Sequence, residues 1–143
     1  MPHLHAICLS AEKHTRKHEV AEAEVREDFG LVGDAHAGTG RQVSLLALEA
    51  IGRMCEKLPG LKPGDFAENL TLQGLDPAAL PVGQRLRVGD AVLLEITQIG
   101  KTCHHGCEIR RLAGDCIMPR EGVFARVLAG GAVRKGDPVV LLD

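Results

Sequence analysis

The chain contains no tryptophan, no tyrosine and only three phenylalanines. A protein that reads single-stranded nucleic acid by stacking needs aromatic platforms, and these are nearly missing. Charge of one sign is not in excess either. Seventeen Lys and Arg stand against nineteen Asp and Glu, for a net charge of −2. No overall basic field draws in a polyanion, so no nucleic-acid partner is expected. There is no run of about 18 apolar residues such as spans a membrane. The opening "MPHLHAICLSAEKHTRKH" lacks the apolar centre of a secretory signal. A cytoplasmic protein without a membrane partner is expected, and there cysteines stay reduced. The cysteines number five, and an odd count does not complete a disulfide framework. P-loop, dinucleotide glycine fingerprint, G-x-S-x-G and H-E-x-x-H patterns are all missing.

What is present fits one domain over residues 1–143, with no linker. Apolar residues make up 45% of the chain, enough for a core that needs no disulfide or metal to form. The punctuation predicts many short strands. "HAICLSA" (5–11) opens the series, and "VAEAEVRED" (20–28) alternates apolar with charged residues. "FGLVGDAHAGTG" (29–40) holds four glycines and reads as a loop. "RQVSLLALEAIGRMCEKL" (41–58) begins extended and turns helical, with Leu48, Ile51, Cys55 and Leu58 on one face and Pro59-Gly60 as the stop. A short strand is predicted at 69–72. "RLRVGDAVLLEITQIG" (85–100) reads as a hairpin about a Gly-Asp turn, echoed by "KGDPVVLLD" (135–143). "PREGVFARVLAG" (119–130) is predicted helical, from Pro119 near its start and Gly130-Gly131 at its end. The expected fold is mainly β: a closed, strand-rich barrel with a few peripheral helices.

Chemistry concentrates in residues 100–128, "GKTCHHGCEIRRLAGDCIMPREGVFARVL". Cys8 and Cys55 sit in apolar settings and read as small core residues. Cys103, Cys107 and Cys116 lie among His, Gly, Arg and Asp, where packing does not explain them. Their C-x3-C-x8-C spacing, with His104 and His105 inside, admits a zinc cage, a regulatory disulfide or a reactive thiol. Lys101, Arg110, Arg111, Arg120 and Arg126 outnumber the local acids Glu108, Asp115 and Glu121. Positive neighbours lower a thiol's pKa from about 8.5 and favour the nucleophilic thiolate. They also suit an anionic ligand, especially a phosphate. His36 lies in the glycine loop with Asp34 two residues away, a setting that suits a pocket. In "GDFAENL" (64–70), Asp65, Glu68 and Asn69 either bind a ligand or hydrogen-bond the turn.

Five stretches in order resemble the MOSC domain, named for the C-terminal domain of molybdenum cofactor sulfurase. They are "GLVGDAHAG" (30–38), "RQVSLL" (41–46), "GDFAENL" (64–70), "PVGQRLRVGDAVLLEITQIGKTC" (81–103) and "GVFARVLAGGAVRKGDPV" (122–139). The resemblance implies a strand-rich closed barrel of the pyruvate-kinase β-barrel type. It implies that Cys103 matches the signature cysteine, which carries sulfur as a persulfide or ligates molybdenum. Cys107 and Cys116 join it as candidate catalytic residues that assist, hold a metal or resolve a persulfide. His36, Arg41, Asn69, Lys101 and Arg126 are the implied cofactor-binding residues, for molybdopterin and its phosphate. Many relatives place proline before the signature cysteine, where this chain has Thr102. No segment resembles a pyridoxal-phosphate enzyme, so a cysteine desulfurase or other sulfur donor is expected as a separate partner, alongside proteins of molybdenum cofactor biosynthesis. Two alternatives are a molybdenum-dependent reductase of N-hydroxylated compounds and a non-enzymatic zinc-binding module.

Overall fold

A computed structural model describes residues 2–11, 17–66, 68–100 and 122–142. Strands dominate. In chain order they are β1 His3–Leu9, β2 His18–Val20, β3 Glu22–Arg26, β4 Gly30–Leu31, β5 Val43–Ala47, β6 Leu70–Gln73, β7 Arg85–Val88, β8 Val92–Ile99, β9 Val123–Ala129, β10 Gly131–Arg134 and β11 Val139–Leu142. The α-helix among the described residues, α1, runs Leu48–Cys55, and a 3-10 turn spans Pro77–Ala79. No described helix is long and apolar enough to cross a membrane.

Eight strands form one sheet in the order β11-β7-β8-β9-β5-β6-β1-β2, and β10-β3-β4 form a second. Alternation explains the strands locally. In β7, Leu86 and Val88 are buried while Arg85 and Arg87 are exposed. Side chains on alternate positions face opposite sides, so the apolar set turns inward together. Leu4, Ile7, Leu45, Leu70, Leu86, Leu94, Ile96 and Val123 meet in the main core. The other face of β5 and β9 is covered by α1, where Leu46, Ala50, Ile51, Met54, Phe66 and Phe124 pack together. β5 and β6 run parallel, Leu45 opposite Leu70, and α1 lies in the chain between them.

Three expectations need correction. The barrel is not closed, because both sheets are open. Where β1 meets the residues before β11, contact is a single bridge between His3 and Pro138. Leu4 N–H donates to Asp137 O, Gly136 N–H to Leu4 O and Val139 N–H to Pro2 O, but β1 and β11 are not paired as strands in either sheet. Pro138 has no N–H, and the turn at Gly136 (φ 93°) leads the chain away. The segment predicted helical at 119–130 holds β9 instead. Val123, Ala125 and Val127 face in, and the strand pairs with β8 and β5 on its two sides. Gly130 serves a close approach rather than a helix end, since a Cβ there would lie 2.5 Å from Val25 O. The helix after β5 stops at Cys55, short of Pro59, and buries Ala50, Ile51 and Met54, with Cys55 and Leu58 at its margin.

Candidate functional site

The segment that carries the cysteine chemistry joins β8 to β9. Gly100 N–H donates to Gly122 O at 2.6 Å, which closes its base. Cys103, Cys107, Cys116 and Lys101 lie outside the described residues. The described part of the site is therefore the ground around that base.

Phe124, two residues past Gly122, points to the outer face of the sheet toward α1. Arg41 lies over its ring, 5.2 Å from the centroid, a cation–π arrangement that keeps the guanidinium at the surface. Thr39 ties Arg41 to the glycine loop. Its hydroxyl accepts from Arg41 N–H at 3.1 Å and donates to His36 O at 2.6 Å. The loop folds tightly because Gly30 adopts φ 128° and passes Gln42 O where a Cβ would come within 2.6 Å. Thus His36 and Arg41, read as binding residues, share one rigid turn. Arg126 stands two residues beyond Phe124 and so on the same face. It pairs with Glu95 at 3.2 Å and is half exposed, with Arg85 on the other oxygen of Glu95 at 3.6 Å.

Asn69 is placed behind this surface. It is fully buried. Its Oδ1 accepts from Ser44 N–H at 3.0 Å and from the Ser44 hydroxyl at 3.2 Å, and its Nδ2 donates to Cys8 O at 3.1 Å. In this position it clamps β1 to β5, and Ser44 is in turn the register partner of Phe124.

Sequence reasoning missed the group below His36. Lys17 and Asp34 form an ion pair of 2.7 Å with both side chains shut off from water. Asp34 also accepts from Ser10 N–H and His36 N–H, each at 3.1 Å. Burial works against its ionisation, but the contacts with His36, Lys17 and Ser10, together with the Lys17 charge, hold the carboxyl well below the usual carboxylate range. The spacing of Asp34 and His36 hinted at this centre. Lys17 gave no signal, because one lysine in "EKHTRKHEV" looks like any solvated charge.

Nearby, Glu68 is completely buried. Burial pushes its carboxyl up to about 7, against the backbone N–H groups of Glu68, Gly64 and Phe66 and the Thr71 hydroxyl, which favour the anion. Burial, then the charges of Glu68, Glu19 and Asp65, push the Cys8 thiol up to about 12, with Lys17 opposing. Cys8 is thus a packed thiol, not a thiolate. The raised Glu68 value has a pH consequence. The folded state holds a proton that the unfolded chain releases above about 4.5, so stability falls as pH rises from about 4.5 to 7. The loss is roughly 3 kcal/mol, at 1.36 kcal/mol per unit. Glu68→Gln removes the proton. Urea midpoints at pH 5 and pH 8 should differ less in this variant than in wild type, and an unchanged difference would refute the assignment.

Among the described residues, no group of three His, Cys, Asp or Glu side chains is placed to hold a metal ion. The chain matches the family model for the MOSC domain over residues 32–140. Its fold is similar to that of the YuaD protein from Bacillus subtilis, with a TM-score of 0.80 at 18% identity, covering 97% of this chain and 94% of that one. It is also similar to YiiM from Geobacillus stearothermophilus, with a TM-score of 0.74 at 21% identity over 100% of this chain and 76% of that one. For YiiM from Escherichia coli the TM-score is 0.69 at 20% identity, over 100% of this chain and 70% of that one. At such identities the likeness speaks for the fold. No curated protein matches the chain.

Proposed function

The chain belongs to the MOSC domain family, and from that premise we propose that it is a module of molybdenum cofactor metabolism whose Cys103 carries sulfur as a persulfide or ligates molybdenum. The observation that carries this reading is the span of the family match, which includes both the glycine loop with His36 and the strand leading to Cys103. The described residues fit the phosphate end of molybdopterin. Arg41 offers an exposed planar cation on Phe124, and His36 a ring at the surface of the same loop. Lys101 and Arg126 complete the proposed pocket. The metal ligand would be Cys103, whose chemistry is read from the sequence. When bound, the cofactor supplies a metal that takes soft sulfur ligands. The chain's own part is to bind the anion and to keep a thiolate ready.

In the carrier role, the Cys103 thiolate attacks the outer sulfur of a donor persulfide. A new S–S bond forms at Cys103, the donor's S–S bond breaks, and the donor leaves as a thiolate, with no net oxidation. A separate cysteine desulfurase would supply that persulfide. Cys107 or Cys116 would then release the sulfur or shield it.

Intact mass and metal content of the native protein, purified without reductant, test this reading. One added sulfur atom on Cys103, removed by dithiothreitol and missing in Cys103→Ser with the fold unchanged, is the expected result. Normal loading of that variant would remove Cys103 from the role. Bound molybdenum with a pterin would favour cofactor binding or the reduction of N-hydroxylated compounds, which needs an electron-donor partner. Stoichiometric zinc whose chelation unfolds the protein would replace the proposal with a structural zinc site.

A further inference from the structure

Lys17 belongs to no motif, yet the fold closes over it. Its Nζ lies 2.7 Å from Asp34 Oδ1, 3.4 Å from Ser10 Oγ and 3.2 Å from His36 Nδ1. An ammonium group has three N–H donors and no lone pair. Among the described residues three neighbours stand against these three donors, and each contact is read as a donated bond. Nδ1 of His36 must therefore accept, because a proton there would set one donor against another. Nor does Nδ1 have Asp34 to donate to. Asp34 Oδ2 is 3.8 Å away, beyond hydrogen-bond range, and already accepts the main-chain N–H of His36. The proton of the neutral ring is left on Nε2. The His36 side chain is 30% exposed. Since Nδ1 lies against a buried ammonium, the exposed edge is the one that carries Nε2.

We propose that Lys17 is a positioning residue: it locks His36 as the Nε2–H tautomer, so that the glycine loop presents a neutral N–H donor to an anionic oxygen such as that of a phosphate ester. This deepens the pocket reading above and rests on it for the ligand. Asp34 holds the ammonium with one oxygen and the loop backbone with the other. Remove Lys17, and the best partner for Nδ1 becomes the Asp34 carboxylate. The ring proton moves to Nδ1, and Nε2 turns a lone pair toward the ligand. One buried amine thereby decides whether the ring attracts or repels an anion.

Long-range proton–nitrogen NMR of His36, at a pH where imidazole is neutral, tests the lock directly. Wild type should show the proton on Nε2, and Lys17→Met should move it to Nδ1. A purely structural role for Lys17 would not change the tautomer. Pyrophosphate titration by calorimetry tests the ligand. Lys17→Met and His36→Ala should each weaken binding about tenfold, as expected for one lost hydrogen bond to a charged group. The double variant should be little worse than either. A wild-type ring protonated on Nδ1, or an unmoved proton in Lys17→Met, overturns the proposal. Should that variant not fold, Lys17→Leu is read for the same shift, and a wild-type Nδ1–H ring still overturns the proposal. An Nε2–H ring whose proton moves to Nδ1 in Lys17→Met, in a protein that ignores pyrophosphate, would confirm the lock and sink the pocket reading instead.

Discussion

Asp34→Ala is expected to lower the free energy of unfolding by about 3–5 kcal/mol. The substitution strips the Lys17 ammonium of its carboxylate while leaving it at zero exposure. It also leaves the N–H groups of Ser10 and His36 without the acceptors they use now. An unpaired buried charge is the costlier loss, because the interior does not replace the solvation that water would give. Asp34→Asn keeps the shape and an acceptor oxygen and should cost less. Urea unfolding measures both. A loss below about 1 kcal/mol for the alanine variant would mean that Lys17 reaches water easily, contrary to the structure. The sign with pH follows from the depressed carboxyl. Its contribution is complete above the unfolded value of about 4 and is lost as pH falls through the lower folded value. Wild type should therefore lose more stability than Asp34→Asn between about pH 4 and pH 2.

Asn69→Ala is expected to cost about 3 kcal/mol, from buried hydrogen bonds lost to Ser44 and Cys8 and a small cavity. Ser44 N–H loses its Oδ1 acceptor and Cys8 O loses its Nδ2 donor. Asn69→Asp should cost more despite its near-identical shape. It places a charge at zero exposure and sets an oxygen against the Cys8 carbonyl. Thermal unfolding should show a drop of about 10 °C for alanine and a larger one for aspartate. The alanine variant also separates two roles. A stable Asn69→Ala protein with weakened pyrophosphate binding would return Asn69 to the ligand, whereas a destabilised one that still binds would leave it a clamp.

The opposite pH behaviour of Asp34 and Glu68 shows how much depends on partners. Both carboxyls are buried. Asp34 has an ammonium at 2.7 Å and stays ionised. Glu68 has N–H groups and a hydroxyl but no such cation among its described hydrogen bonds, so burial prevails. Nothing in "GDFAENL" or "GDAHAG" separates the two cases, since in both an acid follows a glycine-bearing turn.

Strands were legible where alternation was strong and local. β3 and β7 follow from Ala, Val and Leu set against Glu and Arg, and the Gly-Asp turns before β8 and β11 are backbone requirements that glycine meets at little cost. The same local logic failed at β9. Pro119, Glu121 and two closing glycines mimic helix ends, while the strand's real partners, β5 and β8, are brought by pairing that no local window contains. Barrel closure failed for a related reason. It depends on whether two distant edges can continue a ladder, and a proline at the seam is a constraint whose effect depends on what lies opposite.

By itself the sequence determined the family, the strand-rich class, the glycine loop with His36 and Arg41, and the cysteine at the end of the "LEITQ" strand. These are matters of residue type and short spacing, which backbone geometry and thiol chemistry translate directly. Only the tertiary structure decided that Lys17 lies under His36, that Asn69 is held by Ser44 and Cys8, and that Glu68 is sealed from water. Those outcomes depend on burial and on contacts between strands far apart in the chain, and a charged or polar residue carries no mark of whether water or a partner will meet it.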